Sequence, residues 1–332
     1  MKSVVGILFT LILEISLLVG CVPKQVKAPS DEVTLQLKWV HQAQFAGFYV
    51  AQEKGYYAEE NIKVTFRQGE AGSNNIEPLV SGQTNFLVEA PDAVLAYSSL
   101  HKPIAIATIY RRSPLVFIAL ADSGIHKPSD FIGQAMAVTS GSLDAEVHLK
   151  AMMKKLGLDV NEIKMMPYAY DYSSFLSREV KITCGYSTGG VIRLRQKGYQ
   201  VNLICPSDYG IDMYSDTIFA AERLIAENPE LVTRFLRASL KGWQEAVGNP
   251  KMAVEMTLKY AKEPELELQS KMMEAQLPLV HTGEDQIGWM KATRWESMYQ
   301  VLLEQGIITA PFDVNQVYTM RFLEEIYGVK AK

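Results

Sequence analysis

The sequence predicts an α/β fold in two domains, and three observations carry that prediction. A strand, helix, strand unit is legible between Val33 and Phe66. A second alternation of apolar runs and helical stretches extends from Ala135 to Cys205. Two β-branched runs, Pro103 to Tyr110 and Pro114 to Ala121, are joined only by Arg111-Arg112-Ser113, and the second run is read as leaving the first domain. Strands alternating with helices are the mark of largely parallel sheets covered by helices. A length of 332 residues fits two domains, and 48% hydrophobic with 21% charged positions is ordinary for a globular chain with a large core.

The first residues read as an address. Lys2 is a short basic start, Val4 to Val19 is an apolar run, and Leu18-Val19-Gly20-Cys21 closes it with small residues before a cysteine. A membrane span needs roughly 20 apolar residues, more than this run supplies, and Glu14 sits inside it. The ending resembles a lipoprotein signal. Residues 1–20 are then a signal peptide, Cys21 takes the lipid (palmitate among its chains), and residues 21–32 are a tether. The mature chain is expected on the outer face of the cytoplasmic membrane or in the periplasm, lipid-anchored, touching the membrane through Cys21.

The net charge of −4 and the lack of a basic run exclude the electrostatic footprint of a nucleic-acid binder. His101, His126, His148 and His281 are scattered, without metal-ligand spacing, so no metal is expected. Cys184 and Cys205 either pair in an oxidising compartment or are two small buried side chains, and both readings stay open.

Each element follows from local pattern. Val33, Leu35, Leu37 and Trp39 alternate with polar residues as a strand. Ala46, Tyr49, Val50 and Glu53 share a helical face, Gly55 stops that helix, and Ile62, Val64 and Phe66 resume the alternation. The connection WVHQAQFAG thus falls at the carboxyl edge of a sheet, where open α/β proteins bind ligands. Residues 76–80 form a short helix and 84–88 a strand; Glu89 and Asp92 then cap a helix with Pro91 in its first turn, or serve the site. Residues 135–138 are a strand, and Thr139-Ser140-Gly141-Ser142 leads into a helix from Leu143 to Leu156, a start suited to an N-cap or to an anion.

Strand 163–167 runs into Tyr168-Ala169-Tyr170-Asp171-Tyr172, whose tyrosines share one side if the segment is extended. Strand 181–185, the turn Tyr186 to Gly190, a helix to Gln196 and strand 200–205 make a second βαβ repeat. The loop Pro206 to Tyr214 carries two aromatics and two acids before strand 217–220 returns to the first domain. Everything after Glu222 reads as helix. Leu231, Val232, Phe235, Leu236, Leu240 and Trp243 form one stripe, with Trp243 as core.

Four segments carry a family resemblance: WVHQAQFAGFYVAQEKGYYAEENIKV from Trp39, Ser81-Gly82-Gln83-Thr84-Asn85-Phe86, Arg111-Arg112-Ser113-Pro114-Leu115, and Asp208-Tyr209-Gly210-Ile211-Asp212. In these the chain resembles substrate-binding proteins of bacterial ABC importers, specifically the thiamine-pyrimidine-synthase-like family. The resemblance implies a two-lobed periplasmic-binding-protein type II fold with two crossover strands, near 115–120 and 217–220, and a helical C-terminal part. Lobe 1 is then 33–117 and 218–332, and lobe 2 is 118–217. It also implies a small-molecule partner, a vitamin or vitamin precursor, and an ABC permease with its ATPase. A monomer without cofactor is expected.

Members of that family bind thiamine-precursor pyrimidines, bind riboflavin, or synthesise the pyrimidine. Phe45 stands where the fungal enzyme consumes a histidine, and Cys184 alone replaces its cysteine run, so no catalytic residue is expected. The chain ends at Lys332 without a kinase or cyclase, which favours an importer component over a sensor-associated lipoprotein. Candidate ligand contacts are the aromatics Trp39, Phe45, Tyr168, Tyr186, Tyr209 and Tyr214, with Gln42, Gln44, Glu89, Asp92, Arg112, Ser140, Ser142, Asp171, Thr188 and Asp212 as polar partners. Trp39 and Tyr186 are the chosen stacking faces, on opposite lobes. A dissociation constant of about 1 μM needs about −8 kcal/mol. One stack adds only about 0.5–1.5 kcal/mol beyond area burial, so several rings must act together. That requirement ranks riboflavin ahead of formylaminopyrimidine or hydroxymethylpyrimidine, while Arg112 and Ser140 to Ser142 leave an aliphatic sulfonate as a third ligand class.

Overall fold

The alternation that begins at Val33 builds a sheet because both flanking strands run alongside it. In the computed structural model, which describes residues 29–70, 73–97, 103–138 and 143–329, β1 (Asp31–Gln36) pairs in parallel with β2 (Ile62–Arg67) and β3 (Phe86–Glu89). Helix α1 (Ala46–Glu53) makes the crossover between the first two, and Gly55 ends it with a φ of 76°, a left-handed value that a side chain disfavours. The strand stops at Gln36, so Lys38 and Trp39 lie in bends beyond it rather than continuing the pleat. Helix α2 (Pro91–Tyr97) follows β3, and β4 (Pro103–Tyr110) lies at the far edge.

The chain then crosses. β5 (Leu115–Leu120), β6 (Ala135–Val138), β7 (Lys164–Pro167), β8 (Ile182–Tyr186) and β9 (Val201–Ile204) form a second sheet in the order β7-β6-β8-β5-β9. Helices α3 (Leu143–Lys155) and α4 (Gly190–Gln196) connect its strands. β10 (Ser215–Ala221) returns to the first sheet, antiparallel between β3 and β4, giving the order β2-β1-β3-β10-β4. Both passages are short, at residues 111–114 and 205–214. β5 pairs along its length with β8 and β9, and β10 with β3 and β4, so the strands lie wholly in one sheet each. Boundaries at 117/118 and 217/218 would cut through them.

One expectation changes in the second sheet and one open alternative is decided. The unit β8-α4-β9 crosses over β5, which lies between its strands and antiparallel to both, so it is not a directly paired βαβ repeat. For the same reason no disulfide joins Cys184 and Cys205. Phe117 of β5 faces Cys184 on one side and Ile204 on the other, and two strand spacings of about 4.8 Å exceed the roughly 7 Å Cα limit for a bridge.

The C-terminal part is helical, with α5 (Pro229–Gly248), α6 (Pro250–Thr257), α7 (Leu266–Val280), α8 (Ala292–Glu304) and α9 (Arg321–Tyr327). The α5 stripe is buried throughout, Phe235 stacks on Phe86 of β3 with ring centres 3.8 Å apart, and Trp243 meets Phe48 of α1 edge-on. Gly47 and Gly242 let α1 and α5 touch, since a Cβ at Gly47 would enter the Trp243 ring and one at Gly242 would meet the Gly47 carbonyl. Tight packing here anchors α1, and with it the WVHQAQFAG connection, against the first sheet. Among the described residues no helix is long and apolar enough to cross a membrane. Cys21 and the signal and tether up to residue 28 lie outside the described residues.

Candidate ligand-binding cleft

The carboxyl ends of β1 and β3 lie side by side in lobe 1 and bring Lys38 to Glu89, while the β10 register sets Asp216 beside them. In lobe 2 the carboxyl end of β8 supplies Tyr186, and the first turn of α3, which follows the neighbouring strand β6, supplies Asp144. The two edges face each other. Lys38 Nζ donates to Asp144 Oδ2 at 2.9 Å and to Tyr186 Oη at 2.6 Å, and pairs with Glu89 Oε1 at 3.2 Å. Tyr186 Oη also shares a hydrogen bond with Ser215 Oγ at 2.7 Å, so it bonds two parts of the opposite lobe. Gln42 donates to Gln44, and Gln44 to Asp216 Oδ2 at 2.8 Å.

This floor is sealed, with Lys38 6% and Asp216 1% exposed. Burial by itself would lower the Lys38 pKa, but Asp144, Tyr186, Glu89 and Asp216 together outweigh it and hold the ammonium well above its usual range. Burial pushes the carboxyls of Glu89 and Asp216 up, with Lys38 opposing the shift in both. Behind the floor a second cross-lobe pair joins His148 Nδ1 of α3 to Asp92 Oδ2 of α2 at 3.1 Å, with both side chains almost wholly buried. Burial works against protonation of His148, but Asp92 overrides it and raises the imidazole pKa.

The mouth is aromatic. Trp39 faces Tyr168 and Tyr170 of lobe 2, with ring centres 6.1 and 5.9 Å away. Arg193 of α4 donates through Nη2 to Tyr170 Oη at 2.8 Å and pairs through Nε with Glu263 of the C-terminal helical part at 2.8 Å. Lys262 sits 4.1 Å from the Tyr170 ring centre. Floor and mouth enclose a cavity of about 70 Å³ lined by Lys38, Trp39, Gln42, Gln44, Asp144, Tyr168, Tyr172, Cys184, Tyr186, Arg193 and small residues of β8 and α4. Small-molecule pockets run to roughly 300–1,000 Å³, so a ring ligand enters only when the lobes part.

Of the residues singled out from sequence, Trp39, Gln42, Gln44, Tyr168 and Tyr186 line this cavity. Glu89 backs Lys38, Asp92 is in the histidine pair behind the floor, and Thr188 is buried against Tyr110. The others lie elsewhere. Phe45 is wholly buried in the lobe 1 core, Tyr214 packs edge-on to Trp295, and Tyr209 is half-buried against the core from a short 3-10 turn. Asp212 is held by Arg294 at 2.6 Å, and Asp171 is exposed and accepts from the Ser173 amide. Arg112 is exposed, whereas its neighbour Arg111 is buried and bound to Asp285 at 2.7 Å; the sulfonate reading thereby loses its cation. Ser140 and Ser142 lie outside the described residues.

Tyr186 changes role. Its hydroxyl is tied into the ionic floor, and the rings that face Trp39 belong to Tyr168 and Tyr170. The tyrosine run is not extended, because Tyr172 adopts a φ of 61° and turns into the lobe 2 core, where its ring meets Tyr168 edge-on. Sequence reasoning missed Lys38, Asp144, Arg193 and Asp216. Lys38 had one available signal: a lysine directly before the tryptophan at a strand's carboxyl end.

The family model described as "NMT1/THI5 like" matches residues 42–253, more than half of the chain. The chain belongs to the NMT1/THI5-like family. It is 27% identical to the riboflavin-binding protein RibY of Chloroflexus aurantiacus over 88% of this chain and 86% of that one. With the formylaminopyrimidine-binding protein of Halalkalibacterium halodurans it shares 26% over 91% and 96%. It is also 25% identical to a 4-amino-5-hydroxymethyl-2-methylpyrimidine phosphate synthase of Legionella pneumophila, over 89% and 93%. The alkanesulfonate-binding protein SsuA of Xanthomonas axonopodis superposes with a TM-score of 0.68 at 12% identity, over 88% of this chain and 99% of that one. The family resemblance and the two-lobed periplasmic-binding-protein type II fold expected from sequence are thus both met.

Proposed function

We propose that this NMT1/THI5-like chain is the solute-binding component of an ABC importer, anchored by lipid on Cys21 at the outer face of the cytoplasmic membrane or in the periplasm. It captures a flat heteroaromatic vitamin or vitamin precursor between its lobes and delivers it unchanged to a permease and its ATPase. The observation that carries this reading is the aromatic mouth, where Trp39 of one lobe faces Tyr168 and Tyr170 of the other above a polar floor. A flat ring entering between these faces buries both of its own, and Gln42 and Gln44 offer amides to its edge.

Riboflavin is the preferred ligand, since its three fused rings engage more of the mouth than one pyrimidine ring does; RibY supports this ranking. Formylaminopyrimidine is the second reading, favoured by the relative that the chain covers almost end to end. Binding without chemistry accords with Phe45, a wholly buried phenyl ring with no group to react. The absorbance of the protein as purified, followed by calorimetric titration with riboflavin and formylaminopyrimidine, tests the reading. Flavin bands or micromolar binding of riboflavin support it, and micromolar binding of the pyrimidine alone selects the second. Binding of neither ring overturns both. A Cys21→Ala chain that still incorporates labelled palmitate would sink the anchor.

A further inference from the structure

Charge in the cleft is unbalanced. Glu89, Asp144 and Asp216 surround the one ammonium of Lys38, and Arg193 at the mouth is matched by Glu263. With Lys262 against the Tyr170 ring at the mouth, four carboxylates thus meet three cations, and of these side chains Lys38, Arg193, Glu89, Asp144 and Asp216 are buried while Glu263 and Lys262 reach solvent. The two buried cations are already engaged, Lys38 by Asp144, Tyr186 and Glu89, and Arg193 by Glu263 and Tyr170. The positive end of α3 points its first turn at the same cavity, and Asp144 occupies it, with Oδ1 accepting from the Ala145 amide at 2.8 Å. A phosphate or sulfonate seeking that helix terminus finds a carboxylate in its place.

We propose that the cleft selects its ligand by charge, accepting an uncharged or cationic ring compound and refusing its phosphorylated, sulfonated or carboxylated counterpart, with Asp144 as the specificity-determining residue. This rests on the reading of the cleft as a site for a ring ligand. A ligand with ring N–H or amino groups donates to the carboxylates, while an anion meets like charges in a space that closes away from water. Closure magnifies the discrimination, because screening by solvent and salt is lost with the water.

Isothermal titration of the full chain in detergent with two matched pairs tests this: riboflavin against riboflavin 5′-phosphate, and 4-amino-5-hydroxymethyl-2-methylpyrimidine against its monophosphate. In the pair that binds, the uncharged member is expected to bind at least about 100-fold more tightly. Asp144→Asn is expected to narrow that ratio at least about tenfold, and Glu89→Gln, which removes a neighbouring charge, to narrow it less. The second variant keeps the test alive if the first does not fold, and the ratio in the unaltered protein needs neither. A phosphate bound within about threefold of its uncharged partner overturns the inference, as does a ratio that neither variant moves. If no member of either pair binds, the ring-ligand reading fails and the inference falls with it.

Discussion

The floor and the mouth of the cleft both join the lobes, but water treats them differently. At the floor, Lys38, Glu89, Asp144 and Asp216 are sealed, so a group that loses its partner has no solvent to turn to. At the mouth, Glu263 is 32% exposed and Trp39 half-buried, so solvent reaches these two groups, although Arg193, which pairs with Glu263, is buried. The floor therefore fixes how the closed lobes register on each other, whereas the mouth supplies ring surface and a single ion pair, buried on its Arg193 side and open to solvent on its Glu263 side.

The largest expected effect is at the floor. Lys38→Ala leaves buried carboxylates uncompensated and should lower the unfolding free energy by about 3–5 kcal/mol in urea titrations. A loss under about 2 kcal/mol would mean the floor is as forgiving as the mouth. Next, Trp39→Ala should weaken binding of the ring ligand by about 2 kcal/mol, near thirtyfold by calorimetry, with a much smaller change in stability. Unchanged affinity would remove the mouth from the binding site.

The third prediction concerns pH and is directional. His148 has a raised pKa in the folded protein, so its contribution is complete below the unfolded value of about 6.5 and disappears as pH rises through the folded value. Denaturation at about pH 6 and pH 8 should show the unaltered chain losing more stability on going to pH 8 than His148→Gln does. Equal losses would break the link between the Asp92 pair and lobe contact. The smallest effect on stability belongs to the mouth ion pair, where Glu263→Gln should cost about 1–2 kcal/mol, less than Lys38→Ala, because the amide oxygen and Tyr170 still face the buried Arg193.

Much of this molecule is legible along the chain, and the illegible part has a common cause. Strands and helices announced themselves through local periodicity, as in Ile62, Val64 and Phe66 or the α5 stripe. The connection WVHQAQFAG lies at the carboxyl edge of the first sheet and brings Trp39, Gln42 and Gln44 to the cavity, because a βαβ unit dictates where its first loop falls. Tyr214 and Asp212 show the opposite case. A loop rich in aromatics and acids has the composition of a site, yet Trp295 and Arg294 of α8 claim those two residues for packing and pairing. Arg111 and Arg112 are adjacent and chemically identical, and only the position of Asp285 decides which one is buried.

Sequence alone therefore determined the α/β elements, the family and the edge of the first sheet that serves as a cleft wall, since each rests on near neighbours or on motif. Tertiary structure decided which polar groups meet across that cleft. Lys38 finds Asp144 106 positions later and Tyr186 148 positions later, on a different sheet. No local period encodes such distances; they arise when two carboxyl edges close on each other and charges that cannot reach water must find one another.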